Sequence, residues 1–276
     1  MIATVADIIK IMEKIAPPSI AEKWDNVGLQ VGKFDWPVKT VLVSLDSSLS
    51  VVKEAASSGV DMLISHHPLI FNGLKRVDFA TSNGEIIKIS ALNSLAVYAA
   101  HTNMDSVKGG LNDVLAEKLG IKNLKVLVKS PIEINGNNDF SNQENGLGRV
   151  GELEESVALD VFAKNIKEKL NMQYIKMAGK KGLMVKKVAL CTGSGSSLIN
   201  DFFKSEAQVY ISGDMRYHDA RDIEERGLGL LDIGHFSSEH LIVKCLSERL
   251  IREIKNTGFD VNIKKCQTEK DPYNYI

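Results

Sequence analysis

The chain has 276 residues, of which 44% are hydrophobic and 25% are charged. This composition is ordinary for a globular protein and disfavours intrinsic disorder. The 34 basic and 35 acidic side chains give a formal net charge of −1. A net charge near zero disfavours a protein that binds nucleic-acid phosphates, although it does not exclude a local basic patch. The length allows one large domain or two modest ones.

The cysteines and the terminal segment predict the compartment. Cys191, Cys245 and Cys266 lie far apart and form no C-x-x-C pair. We therefore expect neither a disulfide framework nor a thiolate zinc site. The N-terminus lacks a basic stretch followed by an apolar one, and no run approaches the length of a membrane span. These features predict a cytoplasmic protein that does not bind membranes.

The first half of the chain predicts an α/β unit. Thr4 to Ala16 has apolar side chains at helical spacing, and Pro17-Pro18 ends this helix. Trp24 to Gly32 is a turn-rich segment. Further along, we predict strands at 41–45, 60–64 and 95–100 and helices at 50–58 and 110–119, the last ended by Gly120. Alternation of this kind indicates a mainly parallel sheet.

The second half resumes this alternation after a break. Pro131 to Gly151 is rich in Asn and Gly, which predicts a loop or a domain junction. After it we predict helices at 159–170, 196–204, 219–226 and 238–254, and strands at 188–191, 209–212, 228–233 and 261–265. The fold class expected for the whole chain is therefore α/β.

The two halves resemble degenerate copies of one unit. Three pairs of segments align in order: Val43 to Ser48 with Leu190 to Gly195, Ile64 to His67 with Ile211 to Asp214, and His101 to Asp105 with His235 to Glu239. Chance similarity between two α/β units is the alternative explanation. Two related halves facing each other would bring their polar strand ends to one interface, and clefts between domains commonly hold sites.

The six histidines all lie at or just after the ends of predicted strands. Ligands bind outside the carboxyl ends of strands in open α/β sheets. His66 and His67 follow an apolar strand and precede Pro68. A single histidine there would usually be structural. A pair favours a metal site, because a bend can turn both imidazoles toward one cavity or spread them over two neighbouring ions.

Two His-x-x-x-acid motifs add carboxylates to this set. His101 precedes Asp105, and His235 precedes Glu239. Residues four apart share a helix face, so the second pair would converge on one point. Asp105 as a helix N-cap and Glu239 as a first-turn residue at the helix dipole are the structural alternatives.

The motifs together supply at least three imidazoles and two carboxylates, with no thiolate. This donor set is suited to binding Zn, Mn, Fe, Co or Ni. Five ligands exceed what a single three-ligand catalytic site needs. A carboxylate bridging two divalent ions would account for the surplus.

Two segments of the second half could contact a substrate. The backbone amides of Gly193 to Ser197 could hold a phosphate, although a tight strand-to-helix turn explains this segment equally well. Asp214, Arg216 and His218 could supply a general base, an anion clamp and an acid. The alternative for His218 is a helix-start residue paired with Asp219.

Several ordered motifs resemble a known family: His66-His67-Pro68-Leu69, His101 to Asp105, Ser212-Gly213-Asp214 with His218, and Gly234 to Glu239. The family is the Nif-three-like family of dinuclear-metal-centre proteins, described as GTP cyclohydrolase I type 2 homologs. The resemblance runs nearly end to end. It includes Trp24 to Leu29, Gly148 to Gly151 and Asp271 to Tyr273.

The resemblance implies a ligand set and an assembly. It implies two metal ions held by His66, His67, Asp105, His235 and Glu239, with Glu239 bridging and His101 beside the site as a further ligand or as support. It also implies two interlinked α/β domains with the metal site in the cleft between them, and a ring-shaped homohexamer. We expect domain one at 1–128, completed by 240–276, and domain two at 129–239. Pro131 to Asn145 is too short for the extra domain that some relatives carry there.

The first functional hypothesis is a metal-dependent hydrolase acting on a nucleotide-like or other phosphate-bearing small molecule. GTP ring opening, which the family description suggests, would use the same activated water. Trp24 could stack on a base or line the cleft, or be buried in the core.

One alternative hypothesis is a non-enzymatic metal-containing ring that binds protein partners or nucleic acid. Its contact surface would be Lys176, Lys180, Lys181, Lys186 and Lys187. Lysines on a solvated face are the simpler explanation of this stretch. Storage or delivery of metal is a third hypothesis.

Overall fold

The computed structural model describes residues 1–130 and 145–274. The chain folds as two compact units. Unit 1 comprises Met1–Met104 and Ile242–Ile276, and unit 2 comprises Asp105–Leu241. Unit 1 is therefore built from two separate stretches of sequence. Within the described ranges, none of the helices combines the length and the apolar character needed to cross a bilayer.

The elements alternate along most of the chain. The first stretch contains β1 (Ala3–Thr4), α1 (Val5–Ile15), a 3-10 turn (Pro18–Ile20), β2 (Gly28–Val31), β3 (Pro37–Val38), β4 (Thr40–Ser44), α2 (Leu49–Ser57), β5 (Met62–Ser65), α3 (Ser82–Leu92), β6 (Ala96–Ala99) and α4 (Thr102–Ser106). The middle contains α5 (Leu111–Leu119), β7 (Lys122–Lys129), β8 (Gly146–Ala158), α6 (Leu159–Lys169), β9 (Lys176–Ala178), β10 (Met184–Ser194), a 3-10 turn (Ser196–Leu198), α7 (Ile199–Lys204), β11 (Val209–Gly213), α8 (Tyr217–Glu225), β12 (Gly229–Asp232) and α9 (His235–Glu239). The chain closes with α10 (Leu241–Lys255) and β13 (Asn262–Lys265).

Unit 1 is organised around a five-stranded sheet in the order β13-β4-β5-β6-β2. The first four strands are parallel, and β2 runs antiparallel to β6. Strands β5 and β6 are buried along their whole length, as expected for apolar runs covered on both faces. Ser44 pairs with Ser65, and Ser65 pairs with Ala99. The carboxyl ends of these three strands therefore finish together; His66 follows β5 directly, and His101 comes two residues after the end of β6.

Unit 2 contains a six-stranded sheet in the order β7-β8-β10-β11-β12-β9. Strands β10, β11 and β12 are parallel, and the remaining strands pair antiparallel. Leu190 of β10 pairs with Ile211 of β11, and in unit 1 Val43 pairs with Ile64. These are the residues that the sequence alignment matched. Each unit thus has a parallel three-stranded core in the register expected of a repeat.

Several boundaries differ from the sequence predictions. The predicted domain boundary after residue 128 lies elsewhere, because β7 pairs with β8 and residues 105–128 belong to unit 2. Residues 146–151 of the predicted loop are strand, whereas 131–144 lie outside the described residues. Edge strand β2 falls in the segment that the sequence predicted as turns. Gly and Asn residues in this segment are typical of turns, and they outweighed the short strand pattern in the prediction. The predicted helix 238–254 is two helices separated at His240.

Two helix ends show the local chemistry that places them. Thr4 caps α1 by accepting a hydrogen bond from the Asp7 amide, and the Asp7 carboxylate accepts from the Thr4 amide, which completes a capping box. Gly120 ends α5 with φ +84°, as predicted from its position. Left-handed backbone is costly for other residues, so glycine is the favoured C-cap there.

Arg149 is the buried charge that ties β8 to the start of unit 2. Its side chain is 2% exposed and lies in an ion pair with Asp113 of α5, with Nε–Oδ1 at 2.6 Å. Nη1 donates to the carbonyl oxygens of Gly146 and Gly148 at 2.7 and 2.9 Å. Nη2 donates to the Val107 carbonyl at 3.2 Å. The guanidinium therefore donates to buried carbonyl oxygens of two segments, the start of β8 and the stretch after α4.

Replacing Arg149 by Met should destabilise unit 2 by about 3 kcal/mol, because Asp113 and several carbonyl oxygens lose their donors in a buried place. Urea denaturation followed by circular dichroism should show an earlier transition for Arg149→Met. The exposed Arg252→Met is the matched control and should unfold like the wild type. Equal transitions for the two variants would contradict this role of Arg149.

Candidate metal centre

The chain bends directly after β5, and this bend allows His66 and His67 to lie close together. Both backbone amides donate to the carbonyl oxygen of Leu45, at 3.0 and 2.9 Å. An extended strand would point successive side chains to opposite faces. With both amides directed at one carbonyl, that alternation ends, and the two ring centroids lie 5.2 Å apart. The sequence hypothesis required such a bend.

Each of these imidazoles is held through Nδ1. The Nδ1 of His66 lies 2.9 Å from the carbonyl oxygen of Ala100, which follows the neighbouring strand β6. The Nδ1 of His67 lies 2.8 Å from Oδ1 of Asp46, which follows the other neighbouring strand β4. An oxygen at this distance accepts a hydrogen bond from Nδ1–H, so the ring proton stays on Nδ1 and Nε2 keeps its lone pair. This is the tautomer that a metal ion requires of an Nε2 ligand.

His101 is held in the same way by Asp25. Its Nδ1 lies 2.9 Å from Oδ1 of Asp25, whose side chain is fully buried. The second oxygen, Oδ2, accepts from the amide and the hydroxyl of Thr102. Burial alone would raise the pKa of Asp25, but the hydrogen bond and charge of His101 and the donors of Thr102 outweigh it and lower that pKa to about 2. Asp25 is thus a fixed carboxylate at neutral pH.

The three imidazoles of unit 1 form one cluster. His66, His67 and His101 each offer a ring nitrogen, and these atoms lie within 4.8 Å of one another. The centroid of His101 lies 5.1 Å from that of His66 and 5.5 Å from that of His67. The spacing suits side chains that converge on bound ions. We call His66, His67 and His101 the histidine set.

The C-terminal segment stabilises the turn that positions this cluster. The carboxylate of Glu269 accepts hydrogen bonds from the amides of Leu45 and Asp46, at 2.9 and 2.7 Å. These two residues form the turn that holds both His66 and His67. Glu269 therefore acts on the histidine set through the backbone that positions Asp46, and its sequence position 202 residues after His67 gives no sign of that role.

Unit 2 carries a second group of candidate ligands. His235 and Glu239 stand four residues apart on α9, and Nε2 of His235 lies 2.9 Å from Oε2 of Glu239. The carboxylate oxygens of Glu239 and Asp105 also lie within 4.8 Å of each other. Both carboxylates are buried. Buried acidic groups this close repel each other unless a cation or a proton compensates them. We call Asp105, His235 and Glu239 the mixed set.

Asp214 holds His235 as Asp46 holds His67. The Nδ1 of His235 lies 2.8 Å from Oδ2 of Asp214. Asp214 follows β11 and has φ +51°, a left-handed conformation that Asp tolerates better than most residues. This conformation turns its side chain toward the end of β12. Asp214 therefore orients the His235 imidazole, a role that differs from the general-base role expected from the sequence.

The strand end of β10 borders both carboxylates of the mixed set. Thr192 Oγ1 donates to Oδ1 of Asp105 at 3.2 Å, and the Thr192 amide donates to Asn112. Gly193 has φ +62°, and a Cβ at this position would come within 2.1 Å of Oε1 of Glu239. Only glycine leaves this room for the carboxylate. The Gly193 amide donates to Ser238 Oγ at 2.9 Å, so it packs against α9 and is not available to a phosphate.

Cys191 stays a neutral thiol beside this set. Burial raises its pKa, and the carboxylates of Asp105 and Glu239 raise it further. A thiol held protonated is neither a nucleophile nor a metal ligand. The sequence interpretation of Cys191 as a core residue agrees with this environment.

Arg216 and His218 lie apart from the mixed set. Arg216 stands at the N-cap position of α8 and binds Asp219 through Nε and Nη2, at 2.9 and 3.2 Å. His218 is exposed on the first turn of α8, with its ring against Tyr217. Asp219 thus pairs with Arg216, and the alternative that paired it with His218 is wrong. The structure does not bring Asp214, Arg216 and His218 together around one point.

The lysine-rich stretch has acceptors for several of its side chains. Lys176 lies 3.2 Å from Asp232, and Lys187 lies 3.4 Å from Glu206. Lys186 donates to the carbonyl of Glu154. Neighbouring acids reduce the positive potential that a nucleic-acid surface needs. Lys180 and Lys181 are exposed. The stretch has the character of a solvated face.

Both sets fit divalent metal ions by the chemistry of their donors. The Nδ1 atoms of their histidines lie at oxygen acceptors, as in proteins where a second shell orients metal-binding imidazoles. Glycine at position 193 leaves a space that the Glu239 carboxylate fills. Nitrogen and oxygen donors without thiolate suit catalytic metals better than a structural zinc. The sequence predicted the donors, whereas the orienting roles of Asp25 and Asp46 went unnoticed, because they depend on strand neighbours.

The fold and these donors define a mixed α/β protein with clustered imidazoles and carboxylates at the ends of parallel strands. A family model described as Duf34/NIF3 (NGG1p interacting factor 3) matches residues 3–272. The chain belongs to this family, and the resemblance seen in its motifs is confirmed.

Individual relatives are similar to this protein over nearly its whole length. A protein of Clostridium perfringens named GTP cyclohydrolase 1 type 2 homolog is 37% identical over 270 residues, covering 98% of each chain. One of the same name from Clostridium acetobutylicum is 34% identical, again covering 98% of each chain. The crystal structure of a Bacillus cereus protein related to NIF3 has a TM-score of 0.92 at 28% identity and covers 100% of both chains.

Replacing Asp46 by Asn should weaken metal binding to this protein by about 10- to 100-fold, because the His67 ring loses the charged acceptor that orients it. Asp46 is half exposed and supports no core packing, so the fold should persist. Competition with a chelator of known zinc affinity measures the change. The exposed Asp35→Asn removes the same charge elsewhere and should leave the affinity unchanged. Equal affinities for the two variants would refute the orienting role of Asp46.

Proposed function

We propose that this protein binds two divalent metal ions through His66, His67 and the mixed set and hydrolyses a nucleotide-like or other phosphate-bearing small molecule. One observation carries the proposal: four imidazoles, three of them in the histidine set and one in the mixed set, have Nδ1 at an oxygen acceptor. Histidines used for packing alone have no need of this shared arrangement. The five donors other than His101 are enough for two ions with positions left for water.

The chemistry divides between bound ions and this chain. Bound divalent ions would lower the pKa of a water toward neutrality and stabilise developing negative charge. The carboxylates of Asp105 and Glu239 supply negative charge in a buried place, where a bound cation offsets their mutual repulsion. Glu239 and His235, whose Oε2 and Nε2 atoms lie 2.9 Å apart, would hold one ion together.

His101 is the group best built to accept a proton. Its Nδ1 is bonded to a buried carboxylate whose pKa is about 2, so Asp25 remains charged when Nε2 becomes protonated. Histidines that are oriented in this way by an aspartate act as general bases in other enzymes. In this proposal Nε2 of His101 takes the proton of the attacking water, and His66 and His67 hold the ions.

Exposed side chains of unit 2 are the candidates for binding the substrate. Arg216 and His218 are exposed on α8 and stay candidates for binding the anionic part of a substrate. Asp214 serves as a positioning residue for His235. The name of the clostridial relatives refers to GTP cyclohydrolase 1 type 2, which supports a purine nucleotide as the first substrate to test.

Metal content tests the first part of the proposal. Plasma mass spectrometry of gently purified wild-type protein should find about two divalent ions per chain. His67→Ala and Glu239→Ala each remove a donor from one set and should lose metal. His218→Ala removes an exposed imidazole outside both sets and should retain it. Absence of metal in the wild type, even after addition of Zn, Mn or Fe, would end the proposal.

Turnover tests the assignment of His101. His101→Gln should retain the metal content of the wild type while hydrolysis falls by about 10²- to 10⁴-fold, the usual worth of a general base. His67→Ala should lose metal and turnover together. Loss of metal in His101→Gln would instead make His101 a ligand. Bound metal without turnover of any nucleotide or phosphoester would favour storage or delivery of metal.

The homohexamer is a further part of the proposal. It rests on the family resemblance, which implies a ring of six chains. Analytical ultracentrifugation of the full chain gives the mass directly. A monomer or dimer at micromolar concentration would remove the hexamer and leave the metal assignment untouched.

A further inference from the structure

Two large aromatic side chains lie exposed beside the histidine set. Trp24 is 57% exposed and Phe71 is 51% exposed, and their ring centroids are 5.6 Å apart. Burial in the core, one interpretation of Trp24, is therefore wrong. Single exposed aromatic residues are common on protein surfaces, but adjacent ones at the edge of a polar site often mark binding. We call Trp24 and Phe71 the aromatic pair.

The two residues of the aromatic pair are held in fixed positions, because hydrogen bonds join the two chain segments that carry them. Nδ2 of Asn26 donates to the carbonyl oxygen of Ile70 at 2.6 Å. The Ile70 amide donates to Oε1 of Gln30 at 3.2 Å, and Nε2 of Gln30 donates back to the Asn26 carbonyl at 2.9 Å. The backbone next to Phe71 is thus fixed to the backbone that follows Trp24.

The same segments contact the histidine set. The centroid of the Trp24 ring lies 5.9 Å from that of His101 at an interplanar angle of 72°, and the centroid of Phe71 lies 6.4 Å from it at 65°. Asp25, the residue after Trp24, holds Nδ1 of His101. A ligand on the aromatic pair would therefore have its next atoms at the His101 ring.

Other exposed apolar residues nearby lack this relation. Leu74, Val77 and Phe79 are also exposed, and Lys88 Nζ lies over the Phe79 ring at 5.9 Å from its centroid. A second copy of the chain could cover them, but the fixed position of Trp24 and Phe71 at the edge of the histidine set favours a small ligand there.

We propose that Trp24 and Phe71 form a stacking surface for the planar base of a nucleotide, placing its sugar and phosphate side toward the histidine set. Stacking of a base on an aromatic side chain contributes affinity with little dependence on base identity, since every base has a π face. The surface thus selects a planar heterocycle and leaves the choice among bases to other groups. This inference rests on the proposed function and names the part of the substrate that the aromatic pair binds.

Tryptophan fluorescence tests the stacking surface, because Trp24 and Trp36 are the two tryptophans of the chain. Trp36→Phe leaves Trp24 as the reporter, and its emission should be quenched saturably by guanosine monophosphate. Trp24→Phe leaves the half-buried Trp36 and should show no saturable quenching. Ribose 5-phosphate, which has no base, should quench neither variant. Absence of saturable quenching in Trp36→Phe would overturn the proposal.

Equilibrium dialysis with the full chain tests Phe71 independently of fluorescence. Phe71→Leu should weaken guanosine monophosphate binding by about 5- to 150-fold, the range expected for one lost stacking contact. Its affinity for ribose 5-phosphate should not change. Phe79→Leu makes the same change on the neighbouring exposed surface and should bind both probes like the wild type. Equal nucleotide affinities for Phe71→Leu and Phe79→Leu would overturn the proposal.

Two further measurements separate this inference from the proposed function. Metal content should be the same in Phe71→Leu as in the wild type. Normal metal content and turnover without base-dependent binding would refute the stacking surface and leave the hydrolase intact. Base-dependent binding at Trp24 in a protein that holds no metal would support the surface and refute the hydrolase. If Phe71→Leu forms a smaller assembly than the wild type while its nucleotide affinity is unchanged, the aromatic pair serves self-association and the stacking surface is refuted.

Discussion

An imidazole offers Nε2 to a metal ion only when its single proton sits on Nδ1, and an oxygen acceptor at Nδ1 enforces that arrangement. The protein meets this requirement four times, with a backbone carbonyl at His66 and carboxylates at His67, His101 and His235. Each acceptor fixes a tautomer and a ring direction together. The chemical character of both sets depends on these contacts more than on the presence of histidine itself.

The fold supplies the acceptors through the register of parallel strands. Asp46 follows β4 and holds a histidine that follows β5, and Asp214 follows β11 and holds a histidine that follows β12. In both units the acceptor and the donor come from adjacent strands that end side by side. The relation needs no special loop, because parallel pairing brings the two strand ends together before any side chain is chosen.

The donors could be predicted from the sequence, but their partners could not. His66, His67 and the two His-x-x-x-acid motifs are visible as short patterns at strand ends, where the apolar runs mark the sheet. Asp25 lies 76 residues before His101, and Asp46 lies 21 residues before His67. Only strand pairing brings such residues together. For the same reason β2 and β8 escaped prediction: edge and antiparallel strands rich in Gly or charge lack the continuous apolar run of β5 and β6.

The discontinuous unit 1 has a consequence for the order in which the protein folds. Strand β13 pairs with β4, and Glu269 holds the turn after β4, yet both leave the ribosome after the whole of unit 2. A growing chain can therefore complete unit 2 while the sheet of unit 1 still has an open edge at β4. Domains generally fold as units during synthesis, and open strand edges invite wrong pairing. Nascent chains of this protein thus expose an unpaired strand edge at β4 throughout the interval between the synthesis of β4 and that of β13.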